Sequence, residues 1–204
     1  MKVKTLFLIC FLSITCLLNA ADKPVIQIHT DNSSLIFRVA DNGRLYQSYL
    51  GKKLSHETDI SHLPQGTEAY ITHGMEDYFE PAIHILHNDG NPSLLLKYVS
   101  HETKAVSQGV NETIITLGGD KYPVTVKLHY VTYPAEDIIK TYTEISHKEK
   151  KPVVLHQYAS SMLHLNRAKY YLTEFAGDWA HEANISDQPL EFGKKVLDTK
   201  LGAR

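Results

Sequence analysis

Short apolar segments that alternate with turn residues are the feature that most constrains the fold of this chain. In the clearest segment, apolar side chains occupy every second position, at Tyr122, Val124, Val126, Leu128 and Tyr130. Alternate residues of a β-strand point to the same side, so this period of two predicts a strand with one apolar face. Segments of this kind recur at about 8–12-residue intervals, a spacing typical of antiparallel β-sandwiches.

The turn residues divide the chain into eleven predicted strands. Asp41-Asn42-Gly43, for example, separates two alternating segments and is typical of a tight hairpin turn. The predicted strands are residues 24–29, 34–39, 44–50, 82–87, 94–99, 103–108, 113–117, 122–130, 137–146, 152–163 and 170–175. We therefore predict an all-β fold, an antiparallel β-sandwich.

Three stretches do not follow this pattern. Residues 51–80 are polar, with many His, Asp, Glu and Gly, and are predicted to form a long loop. Only residues 190–197 suggest a helical period, and no strand is predicted after residue 175.

The first 21 residues have the pattern of a secretory signal peptide. A basic start with Lys2 and Lys4 precedes the apolar residues 5–18, and small residues follow at 19–21. The apolar run is shorter than the ~20 residues that a membrane-spanning helix needs. The sequence therefore predicts a periplasmic or secreted protein that has no membrane attachment after cleavage. An uncleaved anchor and a lipoprotein signal at Cys16 are alternatives, although residues 13–15 fit a lipoprotein site poorly.

Cleavage would change both the charge and the cysteine content. Both cysteines, Cys10 and Cys16, lie in the signal, so residues 22–204 could form no disulfide and would depend on a buried core. Loss of Lys2 and Lys4 leaves 19 basic against 23 acidic residues, a net charge of −4. A mildly acidic chain without a basic cluster is not expected to bind nucleic acid.

The twelve histidines do not form a metal-binding pattern in the sequence. His84 and His87 are three positions apart on a predicted strand, so they are expected to face opposite sides. The chain has no His-Glu-x-x-His motif, and the mature part has no cysteine. We predict neither a metal nor a cofactor. A Gly-x-Ser-x-Gly nucleophile motif is also absent, and Ser160 and Ser161 lie within a strand pattern.

Carboxylates and one aromatic side chain are the candidate functional groups. Asp77 in the long loop and Asp178 near the C-terminus could reach a substrate, as could their neighbours Glu76 and Glu182. Solvated loop acids are the alternative interpretation. Trp179 is the only tryptophan, and beside Asp178 its indole could stack on a sugar ring; alternatively, it packs under a loop. We select Asp77, Asp178 and Trp179 as substrate-proximal candidates.

Several segments together resemble the N-terminal region of glycoside hydrolase family 36 α-galactosidases. The most specific is Asp178-Trp179-Ala180-His181-Glu182 within residues 172–182, which is followed by a second similar block at residues 192–204. Residues 73–82 and 122–130 are similar to a strand entry and a long strand of the family. The resemblance extends over about residues 24–204.

The resemblance implies a β-supersandwich that precedes a catalytic (β/α)₈ barrel. In the family, two barrel aspartates carry out hydrolysis of terminal α-galactosides with retention. A barrel needs about 250 residues, so residues 22–204 are expected to form a partial sandwich, incomplete at its C-terminal end, without the barrel. No catalytic residue is therefore assigned in this chain, and the chain alone is expected to be inactive.

The resemblance also implies the partners of the full-length protein. These are an α-galactoside substrate, bound through the barrel, and further copies of the protein in a homo-oligomer. Two other functions remain open from the sequence. One is a complete, noncatalytic carbohydrate-binding sandwich, and the other is a structural or assembly module.

Overall fold

The computed structural model describes residues 23–75, 79–165, 169–178 and 181–198. The chain divides into two compact units, residues 1–161 and 162–204. Nearly all of the regular structure described is antiparallel β-sheet, which confirms the predicted all-β class. No helix within the described ranges is long and apolar enough to cross a membrane.

The first unit contains ten strands and one short helix in its described part. Their bounds are β1 Val25–His29, β2 Ser33–Val39, β3 Leu45–Lys52, α1 Glu57–Ser61, β4 Thr67–Glu68, β5 Ile83–Leu86, β6 Leu96–Ser107, β7 Val110–Gly119, β8 Val124–Tyr133, β9 Ile138–His147 and β10 Val154–Tyr158. Strands β1–β4 form one sheet in sequence order, and β6–β9 form another. Strand β5 pairs with β10 in a small separate sheet, so this pair joins segments far apart in the sequence.

The core lies on the inner faces of the two larger sheets. Ile26 and Ile28 of β1 pair with Phe37 and Leu35 of β2, which places all of them on one face. The ring of Phe37 contacts that of Tyr130 on β8, with centroids 5.2 Å apart. The alternating residues predicted on β8 and the turn before it are all buried, as the period of two requires: Tyr122, Val124, Val126, Leu128 and Tyr130. Each fully buried apolar side chain of this kind contributes about 1.5–3 kcal/mol to folding.

The prediction of one long loop over residues 51–80 is wrong, because this segment contains α1 and β4. It lies against the outer face of the β1–β4 sheet. The amide of Leu54 donates to Ser34 Oγ at 3.0 Å, and the guanidinium of Arg38 donates to the carbonyl of Ile60. Helix α1 is only five residues long, too short to show a helical period, and it is held by the buried side chain of Ile60.

Strand β6 also differs from the prediction. The two predicted strands at residues 94–99 and 103–108 form one continuous strand, Leu96–Ser107, which pairs with β7 along its length. Bulges interrupt the pairing between Tyr98 and Ser100 and again near Ala105. From Val99 onward β6 is exposed, so its sequence lacks an apolar period although its backbone pairs with β7. Strand β10 is shorter than the predicted 152–163.

The second unit is a hairpin of β11 Tyr171–Asp178 and β12 His181–Pro189. Strand β12 was not predicted, because its sequence is mostly polar. Side chains instead link the two strands: Thr173 Oγ1 donates to Asp187 Oδ1 at 2.8 Å, and Gln188 Nε2 donates to Glu174 Oε1 at 3.1 Å. The helical period suggested for residues 190–197 is wrong, since these residues contain no helix.

Candidate functional site

Three histidines from separate segments form a row of imidazole rings in the first unit. The ring centroids of His73 and His84 lie 3.8 Å apart with an interplanar angle of 22°, a stacked arrangement. His156 follows, with its centroid 4.8 Å from that of His84 and the rings tilted by 36°. We call His73, His84 and His156 the histidine row. His84 is its centre, with a histidine ring on each side.

Backbone pairing brings these histidines together. A bridge joins Thr72 to Ile83 in parallel, and the amide of His73 donates to the carbonyl of Ile83 at 3.0 Å. On the other side of β5, His84 pairs with Gln157, and a register shift between Leu155 and Gln157 leaves His156 between paired positions. The row thus depends on a contact between β5 and β10, which are about 70 residues apart.

Polar contacts at the row hold strand β10 in place. The Gln157 amide donates to the carbonyl of Pro81 at 2.8 Å and to Glu80 Oε1 at 3.3 Å. The phenol of the buried Tyr70 donates to the carbonyl of Ala159 at 2.7 Å, just beyond β10. Burial raises the pKa of Tyr70, so this phenol stays protonated and acts as a donor.

The central ring of the row, His84, favours the neutral form. Burial, together with the neighbouring rings of His73 and His156, lowers the pKa of His84 from its ordinary value of 6.5. Neutral imidazole has one donor and one acceptor nitrogen, so the row can exchange hydrogen bonds with sugar hydroxyls or with a protein surface. Two exposed aromatic side chains lie near it in sequence, Phe79 beside Glu80 and Tyr158 beside Gln157.

The candidates selected from the sequence fall elsewhere or outside the described residues. Asp77 and Trp179 both lie outside the described ranges, as does Glu76. Asp178 ends β11, where its backbone pairs with His181 at the hairpin turn. The roles suggested for Asp77, Asp178 and Trp179 therefore stay predictions. Sequence reasoning missed the histidine row, because residues 73, 84 and 156 share no motif.

A second polar cluster lies on the outer face of the β6–β9 sheet. Glu112 Oε1 accepts hydrogen bonds from the phenol of Tyr142 at 2.6 Å and from His129 Nδ1 at 2.9 Å. Lys104 Nζ lies 3.0 Å from the other carboxylate oxygen. The bonds from Tyr142 and His129, helped by Lys104, lower the pKa of Glu112 to about 2. A carboxylate held ionised in this way cannot protonate a leaving group.

The same electrostatic trend holds for other carboxylates. Five carboxyl groups in the described part of the chain have a lowered pKa, namely Asp41, Asp89, Glu112, Asp137 and Glu149. Glycoside hydrolysis needs one carboxylic acid whose pKa is raised, so that it can donate a proton. None of these five groups has the electrostatics of such an acid.

The two histidines flanking β5 lie on opposite sides, as their spacing predicts. His84 joins the histidine row, whereas His87 is buried and donates through Nδ1 to Glu149 Oε1 at 2.7 Å. The ring of His87 stacks on that of Tyr122 at 3.5 Å between centroids. Within the residues that the structure describes, no group of three or more His, Cys, Asp or Glu side chains could hold a metal ion.

Strand β10 also carries an exposed apolar surface. Val154, Leu155 and Tyr158 are 51%, 43% and 65% exposed. In the described part of the structure this strand pairs on one side only, with β5. An exposed edge with large apolar side chains is typical of a surface that packs against another protein segment.

Comparison with known proteins shows that this chain matches one protein family. Residues 42–204 match the family model described as the glycosyl hydrolase family 36 N-terminal domain. No curated protein sequence matches the chain.

Solved structures show the same fold. They include the α-galactosidase of Lactobacillus brevis (TM-score 0.71, 20% identity) and the family 36 α-galactosidase AgaA of Geobacillus stearothermophilus (TM-score 0.75, 19% identity). The galactosidase domain of an α-galactosidase–sucrose kinase is similar as well (TM-score 0.74, 20% identity). Each match covers 83% of this chain and 28% of the other, so this chain spans less than a third of their length. Variants of AgaA were solved with raffinose and with stachyose.

Proposed function

Because the chain belongs to the glycosyl hydrolase family 36 N-terminal domain family, we propose that it forms the N-terminal β-sandwich of an exported, retaining α-galactosidase. The match over residues 42–204 is the observation that carries this proposal. The substrates would be terminal α-D-galactosyl residues of oligosaccharides. Raffinose and stachyose are the first to test, since AgaA variants were solved with them.

In this proposal the reaction takes place outside the residues of this chain. Retaining hydrolysis needs a nucleophilic carboxylate and a carboxylic acid about 5 Å apart. The lowered pKa values of the described carboxylates fit a structural role, since these groups are occupied by hydrogen bonds and ion pairs. A catalytic barrel elsewhere in the full-length protein would bind the α-galactoside, and this chain alone would be inactive.

The role of the sandwich would be to support and border the active site. The exposed apolar side chains of β10, at Val154, Leu155 and Tyr158, support packing against another part of the enzyme. Asp77, Asp178 and Trp179 would lie at the rim of the substrate site. Further copies of the full-length protein would assemble through sandwiches of this kind into a homo-oligomer.

An activity assay tests the proposal. Purified residues 22–204 should not hydrolyse an aryl α-galactoside, whereas the full-length protein should hydrolyse it together with raffinose and stachyose. The first galactose released should be the α-anomer, which proton NMR detects before mutarotation. Turnover by residues 22–204 that is lost in Asp178→Asn would overturn the division between sandwich and barrel. A β-anomer would contradict retention.

Export is proposed separately, on the basic start, apolar run and small residues of positions 1–21. Mass spectrometry of the protein from its native host should show a mature N-terminus near residue 22. Retention of Met1 together with membrane sedimentation would support an uncleaved anchor instead. A lipid-modified Cys16 would support the lipoprotein alternative.

The second candidate function is a noncatalytic carbohydrate-binding or assembly module. This candidate is favoured by the histidine row, by the Gln157–Glu80 hydrogen bond and by the exposed rings of Phe79 and Tyr158, because aromatic faces and polar groups together recognise sugars. Calorimetric titration of residues 22–204 with raffinose would test it. Saturable binding that is lost in Tyr158→Ala or Trp179→Ala supports a binding module, whereas no heat of binding excludes it. Size-exclusion chromatography that shows only a monomer would count against assembly.

A further inference from the structure

We propose that the histidine row is a pH-sensitive joint that loosens the pairing of β10 with β5 under mildly acidic conditions. Protonation of the row would place like charges on rings that are in contact. Strand β10 would then separate from β5 before the two larger sheets unfold. This inference concerns the described residues alone and does not depend on the proposed glycosidase function.

The geometry of the row makes it sensitive to charge. His84 has a ring neighbour on each side, with centroid distances of 3.8 Å to His73 and 4.8 Å to His156. Two imidazolium rings at such distances repel each other, and the half-buried positions of His73 and His84 leave part of this repulsion unscreened by water. The ring contacts within the row are therefore stable only while some of its rings stay neutral.

Among the residues that the structure describes, β5 and β10 themselves supply no opposite charge to offset this repulsion. Strand β5 has the sequence Ile-His-Ile-Leu and β10 has Val-Leu-His-Gln-Tyr, so neither strand contains a carboxylate. Glu80, near the row, accepts a hydrogen bond from Gln157 of β10. Glu149 lies across β5 and is bound to His87 and Asn88 instead. The titratable side chains in ring contact with His84 are His73 and His156.

Strand β10 is the element that would respond. Within the described structure it has five residues and pairs with β5 alone, whereas β8 has ten and is paired on both sides. Beyond this pairing, Gln157 of β10 donates to the carbonyl of Pro81. Ala159, just after β10, donates to the carbonyl of Ala82 at 2.7 Å and accepts a bond from Tyr70. A short strand with one partner opens at lower cost than a central strand.

The direction of the pH effect follows from His84. Burial is the main cause that lowers the pKa of His84 below 6.5, and the nearby His73 and His156 lower it further. A histidine with a lowered pKa binds protons more readily when its surroundings open. The closed state is therefore favoured above about pH 6.5 and loses stability as pH falls below it.

Hydrogen exchange measured by mass spectrometry tests the joint on the purified chain. Protection factors of the β10 amides, corrected for intrinsic exchange, should fall by about threefold or more between pH 7.5 and 5.0. Those of β7 and β8 should change less over the same range. A parallel loss in all strands would overturn the proposal, because it would show global acid unfolding.

Two variants distinguish the effect of the histidine row from the effect of other histidines. His84→Gln removes the central charge, and β10 protection should then become nearly independent of pH. His56→Gln is the matched control, since His56 is exposed in the segment before α1 and should leave the wild-type pH response unchanged. An unchanged pH response in His84→Gln would refute the joint.

If His84→Gln does not fold, a measurement on the wild-type protein can still test the proposal. NMR titration of the imidazole protons should show His84 titrating below pH 6.5, with its curve coupled to those of His73 and His156. Independent titration of all three rings near the ordinary value would contradict the proposal.

Discussion

His129 and Glu112 form a buried pair on the outer face of the β6–β9 sheet, with His129 Nδ1 2.9 Å from Glu112 Oε1. Their side chains are 7% and 9% exposed. The ring of Tyr142 stacks on His129 at 4.2 Å and also donates its hydroxyl to Glu112. Because His129 precedes the core residue Tyr130 on β8, it points away from the core. The polar cluster thus links three strands on the face opposite Tyr130, where Ile114 and Val131 are also buried.

Glu112→Gln should lower stability by about 1–3 kcal/mol at neutral pH, because the buried His129 and the hydroxyl of Tyr142 lose an ionised acceptor. With its pKa lowered from 4.5 to about 2, Glu112 stabilises the fold fully above pH 4.5, and this contribution is lost as pH falls toward 2. Urea unfolding at a series of pH values measures this. The decline between these pH values should be shallower in Glu112→Gln than in the wild type.

Glu102→Gln is the control for this variant, since Glu102 is an exposed acid on the neighbouring strand β6. It should stay within about 0.5 kcal/mol of the wild type. Equal effects of the two variants would show that Glu112 acts only through net charge.

Glu149→Ala should cost about 3–5 kcal/mol, because it leaves the buried His87 without its acceptor. Glu149 also accepts bonds from Asn88, so its loss releases the turn after β5. Burial opposes ionisation of Glu149, but the bonds from His87 and Asn88 outweigh it and lower its pKa. Chemical denaturation measures this cost. Glu144→Ala is the control, because this carboxylate is 53% exposed and its loss should cost less than about 1 kcal/mol. A cost as small for Glu149→Ala would contradict a structural His87–Glu149 pair.

Gly66→Ala should destabilise by more than about 3 kcal/mol or prevent folding. Gly66 has a φ of +83°, and an added Cβ would lie 1.9 Å from the carbonyl oxygen of Gln47. Gly90 has nearly the same φ, +84°, but open space around its Cβ position. Gly90→Ala should therefore cost only about 1–2 kcal/mol, the conformational part alone. Thermal unfolding compares the two variants, and equal shifts in Tm would exclude the steric explanation.

Phe37→Ala should cost about 3–5 kcal/mol, because Phe37 is fully buried and contacts Tyr130 between the two sheets. Phe79→Ala removes the same side chain at a position that is 67% exposed, and should change stability by about 0.5 kcal/mol or less. Urea unfolding at pH 7.5 distinguishes them. Similar midpoints for both variants would mean that Phe37 does not join the sheets.

The fold class was predictable because apolar alternation and turn residues are local signals. The core face of β8 follows directly from the period of two, and Asp41-Asn42-Gly43 marks a hairpin turn that the structure contains. Strand β12 was missed for the opposite reason. Its stability comes from cross-strand pairs such as Thr173 with Asp187, which have no period along the sequence.

The sequence alone determined that this chain forms antiparallel sheets and which residues of β8 face the core, because one side chain in two must be buried. Tertiary structure alone decided which polar groups meet. The histidine row and the Glu112–His129 pair depend on strand order and register, and these are fixed by backbone hydrogen bonds between distant segments. Such pairing carries no local signature, so His84 meets His73 only through the Thr72–Ile83 bridge, and His156 only once β10 pairs with β5.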